Sequence, residues 1–215
     1  SPSTLPPGTF SWEQGLPDVT RIDSNGTRST LFSADTLVRA GLTPLLELQL
    51  SAAPISHLHS DNGKATGVGD SGGALKATVP LHDVRWRMAV LGGVGLDTGD
   101  DAFTSGATSL SLATAASYAL DENSAVAGYA GLSRARGRNT WKLSPNLNFA
   151  LTDQLGAFVE GGATYADDSD VEYVAGGGLT WMLTTRVQLD GFADFGLNDA
   201  SSTLRAGIGI STFFP

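Results

Sequence analysis

The 215-residue chain has no cysteine. That removes a disulfide framework and every cysteine-based metal or redox site. Charge is sparse as well, at 16% of residues, where an ordinary soluble domain carries about 25%. Long apolar runs are missing too. A transmembrane helix needs roughly 18 consecutive apolar residues, and the most apolar stretch here, Met88 to Leu96, is interrupted by Gly92, Gly93 and Gly95. Positive charge is the scarcer sign, with 13 Lys and Arg against 22 Asp and Glu and a net charge of −9. A phosphate backbone would be repelled, so no nucleic-acid partner is expected. The sequence opens Ser1-Pro2-Ser3-Thr4, with no methionine and no hydrophobic leader. That is the start expected of a mature protein after removal of a signal peptide.

What the chain does have is a recurring turn. The segments are Ala40 to Leu45, Pro80 to Val84, Ala119 to Asn123, Ala150 to Leu155 and Met182 to Val187. Each is an apolar residue, then a few turn-forming polar residues, then a fresh alternating run. The leucines of this pattern, Leu42, Leu81, Leu120, Leu151 and Leu183, are spaced 39, 39, 31 and 32 residues apart. About 31 residues accommodates two membrane-length strands of roughly 10–12 residues with one short turn and one modest loop.

Parity tests the idea, because side chains alternate faces along a strand. Near the end, Leu204, Ala206, Ile208, Ile210, Thr212 and Phe214 share one face, and Arg205, Gly207, Gly209 and Ser211 the other. Val187, Leu189, Gly191, Ala193, Phe195 and Leu197 oppose Arg186, Gln188, Asp190, Phe192, Asp194 and Gly196. Upstream, Leu46, Leu48 and Leu50 oppose Glu47, Gln49 and Ser51. A helical period fits none of these runs. A soluble β-sandwich or lipocalin-like barrel would show polar outer faces, whereas one face here is apolar along whole strands.

The expected fold is therefore all-β: a transmembrane up-and-down antiparallel β-barrel of about twelve strands. These fall near 8–20, 28–41, 45–56, 67–79, 84–96, 107–119, 124–136, 139–150, 154–166, 171–182, 186–197 and 202–214. Pro17 interrupts the first strand, and Pro54 and Pro145 lack a ladder donor and mark irregularities. The repeated-Leu turns are the short periplasmic ones. The connections Asp23 to Gly26, His57 to Thr66, Asp97 to Gly106, Arg134 to Asn139, Ala166 to Asp170 and Asn198 to Ser202 are the outer loops. The whole chain, 1–215, reads as one domain, with 1–7 as a periplasmic N-terminal leader and the bacterial outer membrane as its location.

Several motifs resemble the outer-membrane "transporter" family of the MetA pathway of phenol degradation. They are Phe10-Ser11-Trp12-Glu13-Gln14-Gly15, the run Arg39 to Leu48, Gly67-Val68-Gly69-Asp70 with Lys76 following, and Leu96-Asp97-Thr98-Gly99-Asp100. The likeness is clearest over about the first 120 residues. It implies a barrel and a link to aromatic solutes; it carries no catalytic residues and no cofactor.

Chemistry then resides in the lumen. Acids expected to face inward are Glu13, Asp35, Glu47, Asp70, Glu160, Glu172, Asp190 and Asp194. The bases are Arg39, Lys76, Arg85, Arg87, Lys142, Arg186 and Arg205. A charge facing lipid costs roughly 2–4 kcal/mol at the midplane, so these belong inside. Twelve strands give a backbone radius of about 12 Å, which leaves two readings open: a narrow polar pore, or a paired network that plugs the barrel. A hydrolase would need a His-x-Ser pair on one face. The run His57-Leu58-His59-Ser60 lacks that spacing, and neither an enzyme nor a metal site is expected. The acidic loops carry Asp97, Asp100, Asp101, Asp167, Asp168 and Asp170 as solvated charge. The functional expectation is a passive channel for small solutes, hydrophobic or aromatic ones included. The alternatives are a non-conducting barrel that binds another envelope protein and an outer-membrane lipid hydrolase. Expected contacts are outer-membrane lipid and lipopolysaccharide, a small-molecule solute and an envelope protein.

Overall fold

A computed structural model describes residues 2–24 and 27–215. Ser1, and Asn25 and Gly26 from the expected Asp23 to Gly26 turn, lie outside the described residues. The described chain forms β1 (Phe10–Ser24), β2 (Thr27–Ser33), β3 (Thr36–Thr43), β4 (Leu46–Ala52), β5 (Ser56–Ser60), β6 (Gly63–Gly67) and β7 (Ser71–Val79). It continues with β8 (Trp86–Leu96), β9 (Ser109–Ala119), β10 (Ser124–Ala135), β11 (Arg138–Ala150), β12 (Leu155–Ala166), β13 (Glu172–Met182), β14 (Val187–Gly196) and β15 (Leu204–Phe214).

The strands run antiparallel in the order β15 back to β7, then β4, β3 and β1, and the sheet closes where β1 pairs with β15. The closing register runs from Phe10 opposite Phe214 to Arg21 opposite Leu204. A closed ladder leaves no unpaired edge for lipid to meet, which is what permits a sheet to span a bilayer. β8 to β15 coincide with the eight strands expected from 84–96 to 202–214, within two residues at each end.

The first four expected strands are less regular. β2 with β3, β4 with β5, and β6 with β7 are each one long strand broken in the middle, at 34–35, 53–55 and 68–70. β1 is bulged at the same level, its pairing with β15 slipping between Gly15 and Asp18. Pro54 sits in one of these breaks and Pro17 in the bulge of β1, where neither can donate to the ladder. Backbone bonds still stitch the seam: Gly15 donates to Asp35, Ala34 to Ile55, and Gly69 to Ala53, at 2.8–2.9 Å. Beyond the seam, β2, β5 and β6 continue as a three-stranded extension of β1. One expectation is corrected here: His57 to Thr66 is not a loop but the β5–β6 hairpin, with Ser56 opposite Gly67. Its alternation is hidden because the residues are short or polar on both faces.

The recurring turn now has a physical basis. One residue after the leucine, the Thr152 hydroxyl accepts from the amides of Gln154 and Leu155. Thr184 does the same for Arg186 and Val187, and Thr43 for Leu45 and Leu46. Asp121 after Leu120 accepts from the Asn123 amide and the Ser124 hydroxyl. A side chain that bonds the backbone two or three residues on stabilises a tight turn without glycine.

Burial is inverted relative to a soluble protein. The largest fully buried side chains are Glu47 and Ser11, with Lys76 at 2% exposure, whereas Leu110, Ile208 and Phe195 are 57–67% exposed. An apolar exterior over a charged interior suits a lipid environment and would be untenable in water.

Candidate functional site

The lumen face follows from register, because directly paired residues point to the same side. One inner row runs Glu47–Lys76–Leu91–Ala113–Gly131–Lys142–Thr164–Glu172. Another runs Arg87–Ser117–Ala127–Asn146–Glu160–Gly176–Asp194–Arg205. The expected inward charges on these rows thus come from facing positions of one interior.

They do not form one network. On the wall of β1, β3, β4 and β7, the charges are tightly bonded. Arg39 grips Glu47 through Nε and Nη2, each at 2.8 Å, and reaches Glu13 through Nη1 at 3.0 Å. Gln49 donates to Glu47 at 2.7 Å, and the Lys76 ammonium stands 3.4 Å away. The fork geometry of the guanidinium makes this pair directional as well as charged. The same carboxylate also accepts from the Leu5 amide at 2.8 Å.

Glu47 thus ties residues 2–7, the expected periplasmic leader, to the barrel wall. Thr78 donates to the Pro2 carbonyl, and Gly8 and Gly41 are joined by backbone bonds involving Thr9. A Cβ on Gly41 would lie 2.1 Å from the Pro6 carbonyl oxygen, so only glycine lets the segment lie this close.

Asp70 serves the outer loop 97–106. Its carboxylate accepts from the amides of Thr98, Gly99 and Ser105 and from the Thr104 hydroxyl at 2.7–3.1 Å. These bonds, the Ser105 amide foremost, hold its carboxyl well below the usual carboxylate range. Asp100 answers from the loop, accepting from the Val68 amide and donating its own amide to the Val68 carbonyl. The motifs at 67–70 and 96–100 are the two halves of one clasp across the broken strand.

The remaining expected charges lie apart. Lys142, Glu160, Glu172, Asp194 and Arg205 line a small cavity of about 90 Å³ toward the outer end. None of the five makes an ion pair among the described residues, and one Asp194 carboxylate oxygen is buried without a hydrogen-bond partner. Arg85 and Arg87 line another space, of about 390 Å³, at the short-turn end. There Arg85 is exposed, bonded to Asp83 and set 5.1 Å over the Tyr118 ring. Arg186 is exposed in the turn before β14. Asp35 sits in the break between β2 and β3, and with Glu13, Asp70 and Asp190 it lines a cavity of about 490 Å³.

Asp18 also lines that cavity, although its sequence parity places it outward. The bulge before it inserts a residue and resets the face. Pro17 is the signal that could have found it.

A closed antiparallel ladder, an apolar outer band and a charged interior together define a transmembrane β-barrel of the outer-membrane type. The chain belongs to the family described as "Putative MetA-pathway of phenol degradation", whose model matches residues 1–214. Among solved structures, it is similar to the COG4313 outer membrane channel from Pseudomonas putida F1. The two are 17% identical with a TM-score of 0.81, over 99% of this chain and 97% of that one. It is similar to the KdgM porin at 9% identity and a TM-score of 0.60, over 95% and 98% of the two chains. It also resembles the CymD monoaromatic hydrocarbon channel at 10% identity and a TM-score of 0.55, over 98% and 89%. At these identities the likeness is one of fold. No curated protein matches the sequence.

Proposed function

We propose that the protein is an outer-membrane channel for passive passage of small solutes, aromatic ones included. The observation that carries this is the interior itself. A barrel whose outer wall suits lipid holds cavities of about 490 and 390 Å³, lined by charged, polar and apolar residues together, rather than a packed core. Membership of a family named for phenol degradation, and likeness to a monoaromatic hydrocarbon channel, support aromatic solutes as the class. Outer-membrane lipid and lipopolysaccharide cover the outside. A groove of about 460 Å³ between Leu112, Leu132, Trp141 and Tyr165 fits acyl chains, and exposed Arg134 above it faces the headgroup region.

The second reading, a non-conducting barrel that binds an envelope partner, draws on the bonded wall at Glu47 and on residues 2–7 packed against it. Nothing favours a hydrolase. His57 Nδ1 bonds Thr66 Oγ1, and the Ser60 hydroxyl donates to the Gly63 carbonyl, so neither group is set as base or nucleophile toward the other.

Planar-bilayer recording and solute flux into liposomes decide between channel and scaffold. Stepwise conductance with entry of small aromatics is the expected outcome. Absence of both would overturn the channel.

A further inference from the structure

Resting on the channel reading, the middle of the lumen carries a more specific feature. The cavity of about 490 Å³ is lined by five carboxylates and by no lysine or arginine. Two of them are committed: Glu13 to Arg39, and Asp70 to the outer loop. The other three, Asp18, Asp35 and Asp190, make no side-chain hydrogen bond or ion pair among the described residues. All three open onto the same space, and Arg205 reaches none of them at ion-pair distance.

Two further observations point to a guest rather than to mere acidity. Ser211, on the cavity wall and only 8% exposed, has a hydroxyl with no hydrogen-bond partner among the described residues. Phe192 presents an aromatic ring to the same space. Its row pairs it through Gly207 with Asp18. A Cβ on Gly207 would meet the Asp18 carboxylate at 1.9 Å and the Phe192 ring at 2.8 Å, so the glycine lets acid and ring converge on one spot. Unneutralised carboxylates beside an aromatic face form a cation-binding arrangement, in which charge and ring quadrupole act together.

We propose that this cavity is a selectivity site for small ammonium-bearing solutes with an aromatic or apolar body. Asp18, Asp35 and Asp190 receive the cation, Ser211 offers a hydroxyl, and Phe192 packs against the body. Carboxylate-bearing aromatics are repelled by the same groups.

The test is equilibrium binding to the detergent-solubilised full chain, by calorimetry at low ionic strength, with benzylammonium, benzyl alcohol and benzoate as probes. Benzylammonium is expected to bind about tenfold more tightly than benzyl alcohol, with benzoate giving no measurable heat. The double variant Asp18→Asn, Asp190→Asn should bring the two binders to within about twofold of each other. Asp153→Asn, in an exposed turn, should leave the preference intact, which separates the site from general surface charge. Retained heat-modifiable migration shows that each variant is folded. Equal binding of benzoate, or an unchanged preference in the double variant, overturns the proposal. Because binding is read without conduction, a barrel that binds but never conducts sinks the channel and not the site. A barrel that conducts without this preference sinks the site and not the channel.

Discussion

On the wall built by β1, β3, β4 and β7, Glu47 receives five hydrogen bonds, from Arg39 twice, Gln49, Lys76 and the Leu5 amide. On β1 and β14, the strands that flank β15, Asp18 and Asp190 receive none among the described residues. Both groups face the same lumen. The difference lies in what the sequence sets beside them. Glu47 has Lys76 directly across the ladder. Asp190 has Gly209, and Asp18 has Gly207. A carboxylate that several donors reach becomes part of the scaffold, whereas one that no donor reaches keeps its charge available to whatever enters; a base directly across the ladder is not enough, since Asp194 faces Arg205 and makes no ion pair among the described residues. Charge count along the lumen therefore says little until each acid is sorted by the donors that reach it.

The comparison can be broken most forcefully at Glu47. Replacing it with alanine strands the buried Lys76 ammonium and much of Arg39, at a cost of roughly 3–5 kcal/mol. Urea midpoints of the refolded barrel, followed by tryptophan fluorescence, should drop accordingly. A change under about 1 kcal/mol would mean that water already screens this wall.

The Asp70 clasp comes next. Asp70→Ala removes four accepted bonds; water replaces much of what is lost at this solvated rim, leaving a cost of roughly 1.5–3 kcal/mol in all. The visible result should be faster amide exchange at Thr98, Gly99 and Ser105, with the barrel strands unaffected. The pH dependence has a definite sign. Asp70 is depressed in the folded state, so its contribution is fully present above the ordinary aspartate value of about 3.9 and is lost only as pH falls through the lower folded value. Protection of the three amides should stay flat from neutral pH to about 5 and collapse only in strong acid. Loss near neutrality would show that the clasp is not carried by this carboxylate.

The turns should respond less. Thr184→Ala removes the hydroxyl that holds the Arg186 and Val187 amides and should cost about 0.5–1.5 kcal/mol. The smallest stability effect is expected at Asp190→Asn, within about 0.5 kcal/mol of the parent because no bond is lost. Marked destabilisation there would show that Asp190 belongs to the scaffold after all, and the contrast with Glu47 would vanish.

The sequence makes the barrel legible because alternation and turn chemistry are local. Leu-Thr and Leu-Asp turns, and strands such as 204–214, can be read within a dozen residues. The seam could not be read in this way. Its breaks at 34–35, 53–55 and 68–70 align only when three hairpins are laid side by side. Pro17 and Pro54 announce two irregular points but not their shared level. Parity groups the charges of the regular strands, but it misses Asp18, whose face depends on a bulge, and it does not separate out Arg85 and Arg186, which lie exposed in turns. The partnerships of the inward charges were not legible, because contacts such as Arg39 to Glu13 and the Leu5 amide to Glu47 join segments far apart in the chain.

One consequence lies in the closing pair of strands. Phe10 and Phe214 stand opposite each other, rings 5.9 Å apart, although 204 positions separate them in the chain. Joining ends so far apart carries a loop-closure cost of roughly 5 kcal/mol, and no partial ladder shields its edges until that joint forms. Assembly must therefore hold a large, growing sheet with two open edges until the final strand arrives. The β1–β15 closure is thus the pairing of highest sequence separation in the barrel, available only once the last strand is present.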